Sequence, residues 1–273
     1  MWQRHWGLSR DPFDGRPGPF VAVPSHAEAV ARLSYTIGSA GRSAGLVAGP
    51  GLGKSTVLAR ALEEARDPTL RIARASASGA ADGATLFATL AAGLGARVAP
   101  GASRSIAWRS LVDAARLCRW QGLRVVLAVD DVRETAEGPD RPDLERLDHL
   151  DSDPAARVTV LRVGRPRPAD DGPGADPGDW TLAIRLPPLT RAEAWAYVGA
   201  KLGGAGRPDP AFTPRALTRL HALSGGVPRG LDRLAALALM AAAARGLEIV
   251  PPDVVDEAAR ECSTVGAAVP GVL

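Results

Sequence analysis

Ala48-Gly49-Pro50-Gly51-Leu52-Gly53-Lys54-Ser55-Thr56 follows an apolar, strand-like stretch (Leu46, Val47, Ala48) and precedes a helix-like one, Val57 to Ala65. A strand, a glycine-rich loop and a helix in that order make a P-loop, which cradles nucleotide phosphates. Gly49, Gly51 and Gly53 permit the tight turn, so that successive backbone N–H groups point inward at an anion. The following helix presents its positive dipole end to the same place. Gly49 through Thr56, with Pro50 and Leu52 among them, are therefore the expected phosphate contacts. Lys54 is expected to reach the β- and γ-phosphates, and the Ser55 hydroxyl to meet Mg²⁺. The motif ordinarily opens with Gly, and Ala48 stands there instead. Of 33 basic residues only Lys54 and Lys201 are lysines, so a lysine at this one position argues against a chance match.

The bulk composition bounds the rest. At 273 residues with 46% hydrophobic content, the chain reads as globular, with room for one large domain or a domain and a smaller companion. No apolar stretch reaches bilayer-spanning length, and Met1 to His5 lacks the apolar core of a signal peptide. Cys118 and Cys262 have no metal-ligand spacing and read as reduced residues of a cytoplasmic protein, without membrane insertion. A net charge of +3 permits an acidic partner or DNA and demands neither.

Strands are predicted at 44–48, 70–75, 125–130, 158–163 and 182–186, separated by helices at 54–65, 84–94, 106–120 and 143–150. Such alternation implies an α/β fold with a mostly parallel sheet. An amphipathic segment spans 26–37, and loops are expected at 134–142 and 165–179. After Thr190 only helices are predicted, at 191–202, 214–223, 229–244 and 252–261. Thr190 and Glu193 have capping-box spacing, and Pro214 and Pro252 suit a first helical turn.

Val125-Val126-Leu127-Ala128-Val129-Asp130-Asp131 is a buried strand ending in two carboxylates. In P-loop ATPases the first such acid holds Mg²⁺ and the next residue polarises the attacking water. Asp130 fits the first role, and Asp131 stands where a Glu is usual. The shorter side chain falls short by about 1 Å, a misplacement able to cost on the order of 10²-fold in rate.

With these motifs the chain resembles an AAA+ ATPase of the ExeA-like branch, the family of type II secretion assembly ATPases and transposition helper proteins. The resemblance runs through Trp6-Gly7-Leu8 with Asp11-Pro12-Phe13, His26-Ala27-Glu28-Ala29, Leu189-Thr190-Arg191-Ala192-Glu193-Ala194, and Ser224-Gly225-Gly226-Val227-Pro228-Arg229. It implies a P-loop AAA+ parallel-sheet domain followed by a small all-helical lid domain. The expected division is an N-terminal linker at 1–40, a core at 41–189, a lid at 190–263 and a tail at 264–273. It also implies that Arg229 senses the γ-phosphate, a task suited to its planar, permanently charged fork. Ring or filament homo-oligomers are implied as well.

The resemblance has departures. Val163-Gly164-Arg165 replaces the family's Val-Gly-amide run. Pro177-Gly178-Asp179-Trp180 lacks the family's Arg, for which Arg165 or Arg167 are the stand-ins at hand. In the family that Arg is a candidate finger for the neighbouring subunit's nucleotide, and a missing finger can cost about 10³–10⁵ in rate. The chain also ends after the lid segment, which weighs against a direct secretion role. Trp6, Leu8 and Phe13 either flank an adenine ring or staple the N-terminal segment to the core; both remain open. His5, His26, His149 and His221 share no metal spacing. Three functions follow: a slow ATPase that switches or assembles a protein partner complex using ATP and Mg²⁺; a transposition-type regulator forming filaments on DNA; or a non-hydrolysing ATP-binding scaffold.

Overall fold

The computed structural model describes residues 2–14, 20–39, 42–132, 141–165 and 182–267. Its five strands are β1 (Ser43–Val47), β2 (Leu70–Ser76), β3 (Arg124–Val132), β4 (Val158–Gly164) and β5 (Leu182–Arg185). They form one parallel sheet in the order β2-β3-β4-β1-β5. Helices connect them, as parallel strands require crossover connections. These are α3 (Lys54–Glu64) after β1, α4 (Gly83–Gly93) and α5 (Arg104–Trp120) after β2, and α6 (Arg141–Asp148) after β3. Two earlier helices are α1 (Trp2–His5) and α2 (Pro24–Gly38).

The described chain divides into two compact units. The sheet unit comprises Ala27–Pro50 and Lys54–Leu186. Val125, Leu127 and Val129 of β3 bury against Phe87 and Leu90 of α4 and Leu111 of α5. By strand alternation Val126, Ala128 and Asp130 take the opposite face. All but Asp130 of these β3 residues are at most 2% exposed, which accounts for the unbroken apolar run in the sequence. The buried Arg162 of β4, which pairs with Val129 in the sheet, forms an ion pair with the partly buried Asp148 of α6.

The helical unit comprises Met1–His26, Gly51–Gly53 and Pro187–Leu273. Its helices include α7 (Arg191–Gly204), α8 (Pro214–Ser224), α9 (Pro228–Ala244) and α10 (Pro252–Ala267). Their starts carry the expected signals: Thr190 and Glu193 close a full capping box on α7, Thr213 caps α8, and Pro214 and Pro228 sit in first turns. Gly225 ends α8 in the left-handed conformation. Trp6, Leu8 and Phe13 are buried in this unit's core. The Trp6 indole N–H donates to Leu239 O (2.9 Å), and the Arg207 guanidinium lies over the ring. This burial ties the N-terminal segment to the helical unit.

Local corrections are small. Trp2–His5 forms a helical turn that the sequence did not announce, because four residues carry too little periodicity. Helix α6 starts at Arg141, inside the predicted loop at 134–142, since Pro142 suits a first turn. Helix α10 continues past Glu261 to Ala267, into the predicted tail. Residues 134–140 of the first predicted loop and 166–179 of the second lie outside the described residues, as do Arg167 and Pro177–Trp180.

Candidate nucleotide site

Residues Ala48 to Lys54 turn the chain from β1 into α3. Gly51 and Gly53 adopt φ of 78° and 87°, conformations that side chains resist. Ala48 has no positive φ, so its Cβ carries no such penalty, and its N–H donates to Gly164 O at the end of β4 (3.2 Å). The Lys54 ammonium donates to the carbonyls of Ala48 (2.9 Å) and Gly49 (2.8 Å), which holds a cation across the loop. Ser55 and Thr56 are exposed at the start of α3.

The loop tip packs within the helical unit. The Arg229 N–H donates to Gly51 O (3.3 Å). A Cβ at Gly51 would stand 3.0 Å from Arg229 Cβ and 3.1 Å from Val227 Cγ1, so glycine is needed for space as well as for φ. The Arg229 residue is exposed. His26 lies on the other side of the tip, where a Cβ on Gly53 would come within 3.1 Å of its Cε1. His26 is 4% exposed. Burial lowers its pKa, against the opposing pull of the Leu52 backbone and of Glu193.

Glu193 does more than close the capping box. Its Oε2 accepts from the Thr190 N–H (2.9 Å), and its Oε1 accepts from the Ser25 N–H at the start of α2 (2.7 Å). Burial pushes this carboxyl up, but the N–H groups of Thr190 and Ser25 outweigh it and hold the pKa at about 2. A folded pKa below the ordinary 4.5 means stability that is complete above pH 4.5 and lost as pH falls toward about 2. The Glu193→Gln variant should lose about 2–3 kcal/mol at neutral pH and lack the wild-type decline across that window. Urea unfolding followed by circular dichroism at several pH values measures both.

The acid pair sits on an irregularity. Val129 pairs with Arg162 and Val132 with Gly164, so β3 bulges at Asp130 and Asp131. Asp131 has φ of 52°, which Asp tolerates better than most residues. A Cβ on Gly164 would meet Val132 O at 2.6 Å, so glycine there lets the bulged backbone come close. Arg165 is exposed, and its N–H donates to Val132 O (3.3 Å). The ends of β1, β4 and β3 thus meet at the carboxyl edge of the sheet, where open α/β sheets bind ligands. With β4 between them, β1 and β3 are roughly 10 Å apart.

Both carboxylates have partners from the β2 side. Asp130 Oδ1 accepts from the Asp131 N–H (2.8 Å), and Oδ2 from the Arg74 guanidinium (2.9 Å). Asp131 Oδ2 accepts from the Ser78 hydroxyl (2.6 Å). Strand β2 lies across β3 from β1, so these contacts draw the acids toward the sheet edge. Mg²⁺ was expected at Ser55 and Asp130, but Asp130 is already paired with the Arg74 guanidinium. This donor set does not fit a divalent cation as it stands. No group of three or more His, Cys, Asp or Glu suited to a metal occurs among the described residues.

Arg74, Ser78 and His26 are the site residues that sequence reasoning missed. Only His26 carried a signal, its place in His26-Ala27-Glu28-Ala29. Arg74 and Ser78 gave none, because their role depends on strand register.

No family model matches the chain. It is similar to General secretion pathway protein A of Aeromonas hydrophila, with 29% identity across 97% of this chain and 49% of the relative. The chain thus spans about half the length of the curated relative it matches. Among solved structures it is similar to Cdc6p of Pyrobaculum aerophilum, with a TM-score of 0.72, 19% identity, and 96% of this chain and 75% of that one covered. It is also similar to the ADP form of the Aeropyrum pernix ORC2 protein, with a TM-score of 0.70, 17% identity and coverage of 93% and 72%. At such identities the structural likeness speaks for the fold. Among the described residues, no helix is long and apolar enough to cross a membrane. The chain therefore has the P-loop AAA+ fold, and its sequence resemblance is to the ExeA-like branch of AAA+ ATPases, as its motifs imply.

Proposed function

We propose that this chain binds ATP at the P-loop and acts as a nucleotide-dependent switch that assembles a partner complex, with slow hydrolysis. The observation that carries the reading is the Arg229 N–H on Gly51 O, which brings the sensor residue of the resemblance to the tip of the phosphate loop. In this reading the loop N–H groups and Lys54 hold the phosphates, and the exposed Arg229 guanidinium swings onto the γ-phosphate when it is present. Position of α9 then depends on whether a triphosphate or a diphosphate is bound, which is the switch. The cytoplasmic setting and a homo-oligomeric ring or filament are parts of the proposal.

Slow turnover follows from the acid pair. Asp131 is one methylene shorter than the usual Glu, and its Oδ2 already accepts from the Ser78 hydroxyl (2.6 Å). Replacing Asp131 with Glu restores reach and should raise turnover by up to about 10²-fold. The test is phosphate release across a protein-concentration series, with Lys54→Ala as control. Turnover that rises with concentration and vanishes in Lys54→Ala supports an ATPase completed by assembly. Tight ATP binding without turnover, even in Asp131→Glu, defeats the hydrolytic part and leaves a scaffold.

A further inference from the structure

Arg74 lies on β2, an edge strand of the described sheet. Ser76 pairs with Asp130, and Arg74 stands two residues earlier on the same face, so its side chain reaches Asp130 along the diagonal. The side chain of Asp130 is 10% exposed and that of Arg74 is 45% exposed. A desolvated carboxylate therefore rests on a cation that keeps half its surface in water. An arginine on an edge strand ordinarily guards the edge, or pairs with a nearby acid to little effect. Here its partner is the one acid that a P-loop protein of this fold would turn toward a divalent cation. With Oδ1 held by the Asp131 N–H, Arg74 also takes the remaining oxygen.

We infer that Arg74 occupies, at Asp130, the electrostatic place of the divalent cation, so that the site binds nucleoside triphosphate with little dependence on metal. The inference rests on the nucleotide-binding reading above. A divalent ion brought to Asp130 would meet a carboxylate already paired with Arg74 and a neighbouring positive charge, so that it competes with Arg74 for the same acid. Lys54 and Arg74 together then supply fixed positive charge at the carboxyl edge of the sheet.

The test is mant-ATP affinity of the whole chain in Mg²⁺ and in EDTA, for wild type, Arg74→Gln and Arg74→Lys. Wild type should change by less than about threefold between the two conditions, while Arg74→Gln should gain about tenfold or more from Mg²⁺. Arg74→Lys keeps the charge and should behave as wild type. Equal Mg²⁺ ratios in wild type and Arg74→Gln overturn the inference and reduce the pair to an edge-strand tether, which thermal unfolding of the variants would register instead. A wild type that gains tenfold or more from Mg²⁺ overturns it whether or not the variants fold. Failure of mant-ATP to bind in either condition, or binding indifferent to Lys54→Ala, removes the nucleotide reading and the inference with it.

Discussion

Lys54→Ala should weaken ATP binding by about 10–10²-fold and bring turnover to background. The Lys54 ammonium already donates to the carbonyls of Ala48 and Gly49, so it is fixed over the loop before any anion arrives. A charge-assisted hydrogen bond to phosphate is worth about 1.5–3 kcal/mol, and a pre-placed donor loses little of that to ordering. The only other lysine, Lys201, is bound to Asp232 in the helical unit. Isothermal titration with ATP measures the effect, and circular dichroism confirms that the partly buried side chain is not needed for folding. An affinity unchanged in Lys54→Ala would mean that this loop is not where ATP binds.

The largest expected loss of stability comes from Gly226→Ala. Gly226 has φ of 73°, and a Cβ there would stand 2.3 Å from Leu189 O. That carbonyl also meets His221 Nε2 (2.9 Å), and the Leu189 N–H donates to Gly226 O (2.9 Å), so neither strand of the turn can retreat without breaking hydrogen bonds. Left-handed strain of about 1–2 kcal/mol adds to an overpacking cost of about 1–3 kcal/mol, for a loss near 3 kcal/mol. Gly246→Ala is the control: φ is 68° but nothing lies within 4 Å, so only the conformational cost of about 1 kcal/mol should appear. Urea midpoints of the two variants separate steric from backbone strain. Because the Gly226 turn leads directly into Val227 and Arg229, the first variant should also weaken ATP binding, and the second should not.

Much of this site was legible in the chain itself. Short-range signals carried it: three glycines and a lysine between an apolar strand and a helix, two acids ending a buried strand, a capping box at Thr190 and Glu193. Each depends on residues a few positions apart, where backbone geometry is local and one pattern has one physical reading. The parallel sheet followed from alternating strands and helices for the same reason. Trp6, Leu8 and Phe13 were different, since an aromatic flank for a ligand and an aromatic staple share one composition. Their burial beside Leu239 and other helical residues came only with the tertiary structure.

The condition of the acid pair could not be read in advance. Its bulge, the φ of Asp131, and the contacts with Arg74 and Ser78 arise where β2, β3 and β4 come together from positions tens of residues apart. Strand register decides which side chains meet, and a shift of one residue would turn Arg74 to the other face. The doubled burden of Glu193, and the contact of His26 with the loop tip, belong to the same class. The sequence by itself determined the P-loop, the strand and helix order and the identity of the acids, because these are written in neighbouring residues. Only the tertiary structure decided which charges those acids hold, because that depends on register across the sheet.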